Sequence, residues 1–154
     1  MTDNFNSKYA TLDTSKVNLT ENEIVTLASL IEREARHAED RPIVSSVIHN
    51  RLDIGMKLDI DATLQYIKGY DSVSKKWWPN NITNEDKQST SLYNTYGRAG
   101  LPPAPISNPG ILSLQAAVNP NETPYLYYIT DKNGVNRYAQ TLDEHEENIS
   151  TYGL

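Results

Sequence analysis

The chain has 154 residues, with 14 Lys and Arg against 20 Asp and Glu, a net charge of −6 and an isoelectric point near 5.0. One domain is expected at about 100–200 residues each, and an acidic chain has no overall field that steers it to nucleic acid or anionic lipid. No apolar run reaches the roughly 20 residues that a membrane helix needs, no signal-peptide core follows Met1, and the absence of Cys excludes disulfides, thiolate metal sites and thiol catalysis.

Residues 1–19 are polar without a sustained period and read as a flexible arm or linker lacking its own core. Thr20-Glu21-Asn22-Glu23 is a capping box, and Ile24, Leu27, Ala28, Ile31 and Ala35 follow at helical spacing to an expected end near Ala38. Asp40-Arg41-Pro42 opens a second helix, with Pro in the first turn. Its stripe is Val44, Val47, Ile48 and Leu52, and Gly55 stops it. Met56 to Ile60 is extended, and Asp61 reads as the N-cap of a short helix, Ala62 to Lys68, closed by Gly69.

Tyr70 to Ser91 reads as a long surface excursion around Trp77-Trp78-Pro79. The stretch from Gly100 to Pro105 is too rich in proline for helix or inner strand. Asn108-Pro109 precedes a helix from about Gly110 to Val118. Tyr125–Thr130 and Val135–Gln140 flank Asp131-Lys132-Asn133-Gly134, a hairpin signal. Thr141-Leu142-Asp143-Glu144 is a second capping box before the last helix. The expected class is α+β, a helix-dominated single domain with one small hairpin.

One residue stands out on the first long helix. At about 100° per residue, Leu27, Ile31, Glu34 and Ala38 share a sector of roughly 60°. Glu34 therefore lies on the core stripe, Glu32 at its edge, and Arg33 and Arg36 away from it. A carboxylate there must be paired, protonated or lining a cleft. Two readings follow: a buried bond to Arg41 or Arg51, or a general acid whose pKa is raised by desolvation.

Asp59 and Asp61 flank Ile60. They read as a solvated residue and a helix cap, or together as a metal site or second catalytic carboxylate. His37, His49 and His145 fall in three helices without ligand spacing, so no metal is expected. Neither a Gly-x-Ser-x-Gly elbow nor a phosphate loop occurs. Trp77 and Trp78 read equally as a sugar-stacking surface or a loop anchor. The Tyr-rich composition (ten Tyr, one Phe, two Trp) suits a cleft for polar rings.

Taken in order, these segments resemble the YceG-like, MltG-type family of endolytic murein transglycosylases. Leu27-Ala28-Ser29-Leu30-Ile31-Glu32-Arg33-Glu34 resembles the family's Glu-x-Glu helix. Arg41-Pro42, Asn50-Arg51-Leu52 and Gly55-Met56-x-Leu58 match its next segment. Asp61-Ala62-Thr63-Leu64-Gln65-Tyr66 is similar to its next turn, with Ala62 where Pro is usual. Tyr93-Asn94-Thr95-Tyr96, Gly100-Leu101-Pro102-Pro103 and Ile106-Ser107-Asn108-Pro109-Gly110 match its long loop. Ala116-Ala117-Val118-Asn119-Pro120, Tyr125-Leu126-Tyr127-Tyr128 and Thr141-Leu142-x-Glu144-His145 complete the match, which runs from about residue 22 to 150.

The resemblance implies a catalytic domain over residues 20–154 that cleaves the N-acetylmuramic acid to N-acetylglucosamine β-1,4 bond within glycan strands and leaves 1,6-anhydro ends. It places the catalytic role on Glu34. Substrate contacts fall by family position and chemistry on Gln65, Asn94, Tyr96 and Thr63, with Glu32 and Arg51 in support. The implied partners are peptidoglycan glycan strands and, for a full-length parent, the cell-wall synthesis machinery, with no nucleic acid and no cofactor. The pyridoxal phosphate chemistry attached to some members by an old label needs a Schiff-base Lys in a built site, and none is legible here.

Family members are usually anchored by one N-terminal membrane helix and carry a LysM-like half. The resemblance thus implies a fragment without a membrane segment, from a parent acting at the outer face of the cytoplasmic membrane. Two alternatives remain from the residues: a glycan hydrolase using Glu34 with Asp59 or Asp61, and a binding module without activity.

Overall fold

The computed structural model describes residues 2–153. Helix α2 (Glu21–Glu34) is the central element, packed on α5 (Ile111–Val118), α3 (Arg41–Asp53) and α4 (Asp61–Lys68). Its start is set locally, because Thr20 accepts from the Glu23 amide while the Glu23 carboxylate accepts from the Thr20 amide at 2.8 Å. Ile24, Leu27, Leu30 and Ile31 are fully buried, each contributing about 1.5–3 kcal/mol relative to exposure.

The helix ends at Glu34, four residues before the expected Ala38. Ala35 leaves it with extended backbone and still buries its methyl group, and Ala38–Asp40 forms a separate 3₁₀ turn. Helix α3 then begins with Pro42 in its first turn, and Val44, Val47 and Ile48 enter the core as their spacing predicts.

The segment expected to be an arm, residues 1–19, is docked in its described part. Helix α1 (Thr2–Tyr9) lies against α5, and a 3₁₀ turn spans Thr14–Lys16. Phe5, Tyr9, Leu12, Val17 and Leu19 pack onto the main core. Polarity misled here because the apolar residues are too widely spaced to form a core by themselves, yet each finds a place on a core built by other elements.

The long excursion contains a two-residue hairpin, β1 (Tyr70–Asp71) with β2 (Lys76–Trp77), and a 3₁₀ turn at Asp86–Gln88. This first hairpin was not expected; the expected one forms from β3 (Tyr127–Thr130) and β4 (Asn136–Ala139), with Tyr128 opposite Tyr138. In its turn Asp131 accepts from the Asn133 and Val135 amides and pairs with Arg137 at 2.9 Å, while Gly134 takes φ +81°. Helix α6 (Leu142–Tyr152) starts at the expected capping box and packs on this hairpin. The result is a helix-dominated α+β fold.

Candidate active site

Glu34 is the last residue of α2 and keeps the helix's core-facing direction. Its Oε2 accepts from the Tyr128 hydroxyl at 2.7 Å, delivered by β3. Arg41 and Arg51, the two expected partners, are engaged elsewhere, Arg41 with Glu32 and Arg51 with backbone carbonyls. Among the described residues Glu34 makes no ion pair.

Burial pushes the Glu34 carboxyl above the usual carboxylate range, and the negative charge of Asp61 adds to this. The Tyr128 donor, the Ala62 amide at the start of α4 and Arg33 pull the other way without cancelling it. The residue nevertheless keeps partial exposure. A carboxyl that is desolvated, held by neutral donors and still reachable keeps its proton to higher pH than a free carboxyl and can give it up.

Asp61 is not the cap of α4. That position is Ile60, which has no side chain to cap with, and Asp61 is the first helical residue. Its Oδ1 accepts from the Tyr96 hydroxyl at 2.6 Å. Burial, the Asp61 bond and the charges of Asp61, Asp59 and Glu34 raise the Tyr96 pKa, while burial and Glu34 raise that of Tyr128. Both phenols stay protonated and act as donors. Asp59 takes φ +51° beside them, 3.9 Å from Arg51. Burial raises its pKa against the pull of Arg51, Lys57 and Lys87.

The structure brings Tyr96 to this carboxylate cluster and turns two other expected substrate contacts inward. Asn94 is 1% exposed, donates to the Lys87 and Ser89 carbonyls and accepts from the Tyr96 amide. Thr63 is 0% exposed, donating to the Ile60 carbonyl and bonding Thr95. Their polar groups are spent on the loop that carries Tyr96. Gln65 is partly exposed, and among the described residues its side chain reaches only Asn80, at 3.4 Å.

The two supporting residues are tied to the site through backbone. Arg51, 9% exposed, donates to the carbonyls of Lys57, Leu58 and Leu126, so one guanidinium ties the Asp59 loop to the chain entering β3. Glu32 accepts from the Gly110 amide and the Ser113 hydroxyl and pairs with Arg41, anchoring α2 to the start of α5. Burial opposes its ionisation, but these donors and the charges of Arg41 and Arg33 outweigh it and hold its carboxyl below the usual range. Ser29 accepts from the Ile106 amide and, through its carbonyl, from Ser107, which fixes the proline-rich loop on α2.

The residue that sequence reasoning missed is Tyr128. Period-two alternation marks a strand there, but nothing local says which face of the hairpin meets α2. The histidines stay apart, with His49 on the Ala117 carbonyl and His145 stacked on Tyr127. Among the described residues no group of three or more His, Asp or Glu is arranged to hold a metal. No described helix is long and apolar enough to cross a membrane.

Fold and site together define a helix-dominated α+β domain with a desolvated, partly exposed carboxyl at a helix end. The chain belongs to the YceG-like family, whose description matches residues 1–151. It is 38% identical over 129 residues to the endolytic murein transglycosylase of Bacillus subtilis, covering 84% of this chain and 34% of that protein. To the endolytic murein transglycosylase of Streptococcus pneumoniae serotype 2 it is 31% identical over 157 residues, covering 99% of this chain and 27% of that protein. A solved YceG-like protein of Listeria monocytogenes matches the fold with a TM-score of 0.76 at 33% identity, over 94% of this chain and 42% of that one. The chain thus spans between 27% and 42% of the length of these relatives.

Proposed function

We propose that this chain is the lytic domain of an endolytic murein transglycosylase acting outside the cytoplasmic membrane, with Glu34 as acid and then base. The reading is carried by the Glu34 carboxyl, raised in pKa by burial and held by Tyr128 instead of by a cation. The names of its relatives supply the substrate class.

The chemistry needs one transferable proton. With Oε2 occupied by Tyr128, Oε1 carries it. It passes to the glycosidic oxygen as the bond to muramyl C1 breaks. The carboxylate then takes the proton of the C6 hydroxyl as O6 bonds to C1, so Glu34 ends protonated and no water is consumed. Ordinary glycosidases use two carboxyls about 5–9.5 Å apart to handle an external water or a covalent intermediate. Here a nucleophile tethered within the substrate replaces that water.

A hydrolytic second reading draws on Asp61, the carboxylate whose charge reaches Glu34. Mass spectrometry of soluble fragments from purified sacculi, treated with this chain or its Glu34→Gln variant, separates the readings. Anhydro-muramyl ends from the wild type alone are expected. Reducing ends would assign hydrolysis and a base among Asp59 and Asp61, and no fragments from either protein would leave a binding module or a lytic domain that needs the rest of a longer parent.

A further inference from the structure

Two cations beside the carboxylate cluster sit on aromatic rings instead of on acids. Arg33, adjacent to Glu34 in α2, holds its guanidinium carbon 4.0 Å from the centre of the Trp78 ring. Lys87 places Nζ 4.6 Å from the centre of the Tyr96 ring, the same Tyr96 that bonds Asp61. Both residues are exposed, and neither joins an ion pair among the described residues.

The seat under Arg33 is built. Trp78 takes φ +61°, a left-handed backbone that a bulky side chain adopts only when its surroundings impose it. Its ring lies against Tyr66, which in turn packs on Tyr93, and it is packed on the main core. An aromatic face holds a guanidinium by its quadrupole while leaving the N–H edge unspent. That edge is the planar fork that matches a carboxylate.

We propose that Arg33, seated on Trp78, and Lys87, seated on Tyr96, form a subsite for a carboxylate carried by the glycan substrate beside the bond that Glu34 addresses. The inference rests on the substrate class proposed above. Two sources offer that chemistry, the carboxylates of stem peptides and, on strands whose peptides have been removed, the freed muramyl lactyl group. Trp78 is then a positioning residue, and the excursion that carries it has a role in substrate choice.

Co-sedimentation of the Glu34→Gln chain with purified sacculi, native or with carboxylates converted to methylamides, tests this without turnover. Native sacculi are expected to bind about three- to tenfold tighter at low salt, the range of one partly exposed charge-assisted contact. Global charge predicts the opposite order, since a −6 chain is repelled by an anionic wall. Arg33→Gln is expected to abolish the preference and Lys87→Gln to reduce it, while Lys8→Gln, an equal charge change on α1, leaves it intact. Trp78→Leu is expected to weaken the preference and Trp78→Phe to restore most of it.

Peptide-free strands, whose carboxylates are all lactyl groups freed by peptide removal, and their methylamides assign the contact: preference on intact sacculi alone means the stem peptide, and preference on both means that the subsite also takes the freed lactyl group. Equal or reversed binding of native and methylamide sacculi by the parent, or an Arg33→Gln variant weakened equally on both, overturns the subsite. Charge preference without any cleavage by the wild type would instead leave the subsite standing and remove transglycosylase activity from this chain by itself.

Discussion

The Tyr128 hydroxyl donates to Glu34 Oε2 at 2.7 Å across 94 residues of sequence. This one bond joins the end of the central helix to the C-terminal hairpin. It also opposes the burial that raises the Glu34 pKa, because a donor favours the ionised carboxylate.

Tyr128→Phe removes that donor and keeps the ring. The Glu34 pKa is expected to rise further, so the limb on which activity falls with increasing pH moves to higher pH. Turnover at the optimum is expected to drop about tenfold or more, the worth of one hydrogen bond to a charged group. The pH profile of fragment release from sacculi checks both, and an unmoved limb would separate Tyr128 from the chemistry.

Glu34→Gln is expected to change how stability depends on pH. A carboxyl whose folded pKa lies above its unfolded value binds more protons in the folded state, so its contribution is lost as pH rises from the unfolded pKa through the folded one. The wild type should therefore lose stability relative to the variant over that window. Urea midpoints taken from acid to mildly alkaline pH test this, and parallel curves for the two proteins would contradict a raised pKa.

Arg51→Lys keeps the charge but cannot reach three carbonyls with one planar group. A loss of about 2–4 kcal/mol in unfolding free energy is expected from buried acceptors left unpaired. Activity should fall as well, since the Leu126 carbonyl lies just before the strand that delivers Tyr128. Chemical denaturation with an unchanged midpoint would show that the three bonds contribute nothing net.

Glu32→Gln preserves shape and removes the charge that Gly110, Ser113 and Arg41 surround. The wild-type carboxyl is held below its usual range, so its stabilisation is present above the unfolded pKa and lost as pH falls through the folded one. The variant is expected to be about 1 kcal/mol less stable at neutral pH. The difference should close in acid, and a constant offset in thermal melts between acid and neutral pH would count against the assignment.

Local rules were legible wherever the determining atoms lie within a few residues. Both capping boxes and the Asp131–Gly134 turn appear as expected, because each is satisfied by its own neighbours. Asp61 shows where a local rule fails. Its type and position suit a cap, yet its carboxylate is taken by Tyr96, 35 residues away. Asn94 and Thr63 show the same for the site, since being polar and near the cluster does not tell whether a group faces substrate or holds its own loop.

The sequence by itself determined that Glu34 lies on the core-facing stripe of its helix and therefore had to be paired, protonated or set in a cleft. That follows from the helical period alone. Only the tertiary structure decided among these outcomes, by sending Arg41 to Glu32 and Arg51 to backbone carbonyls and by bringing Tyr128 to the carboxyl. A residue's direction relative to its own helix is set by backbone geometry. What meets it there depends on how the rest of the chain packs, and that is settled by burial summed over the whole core.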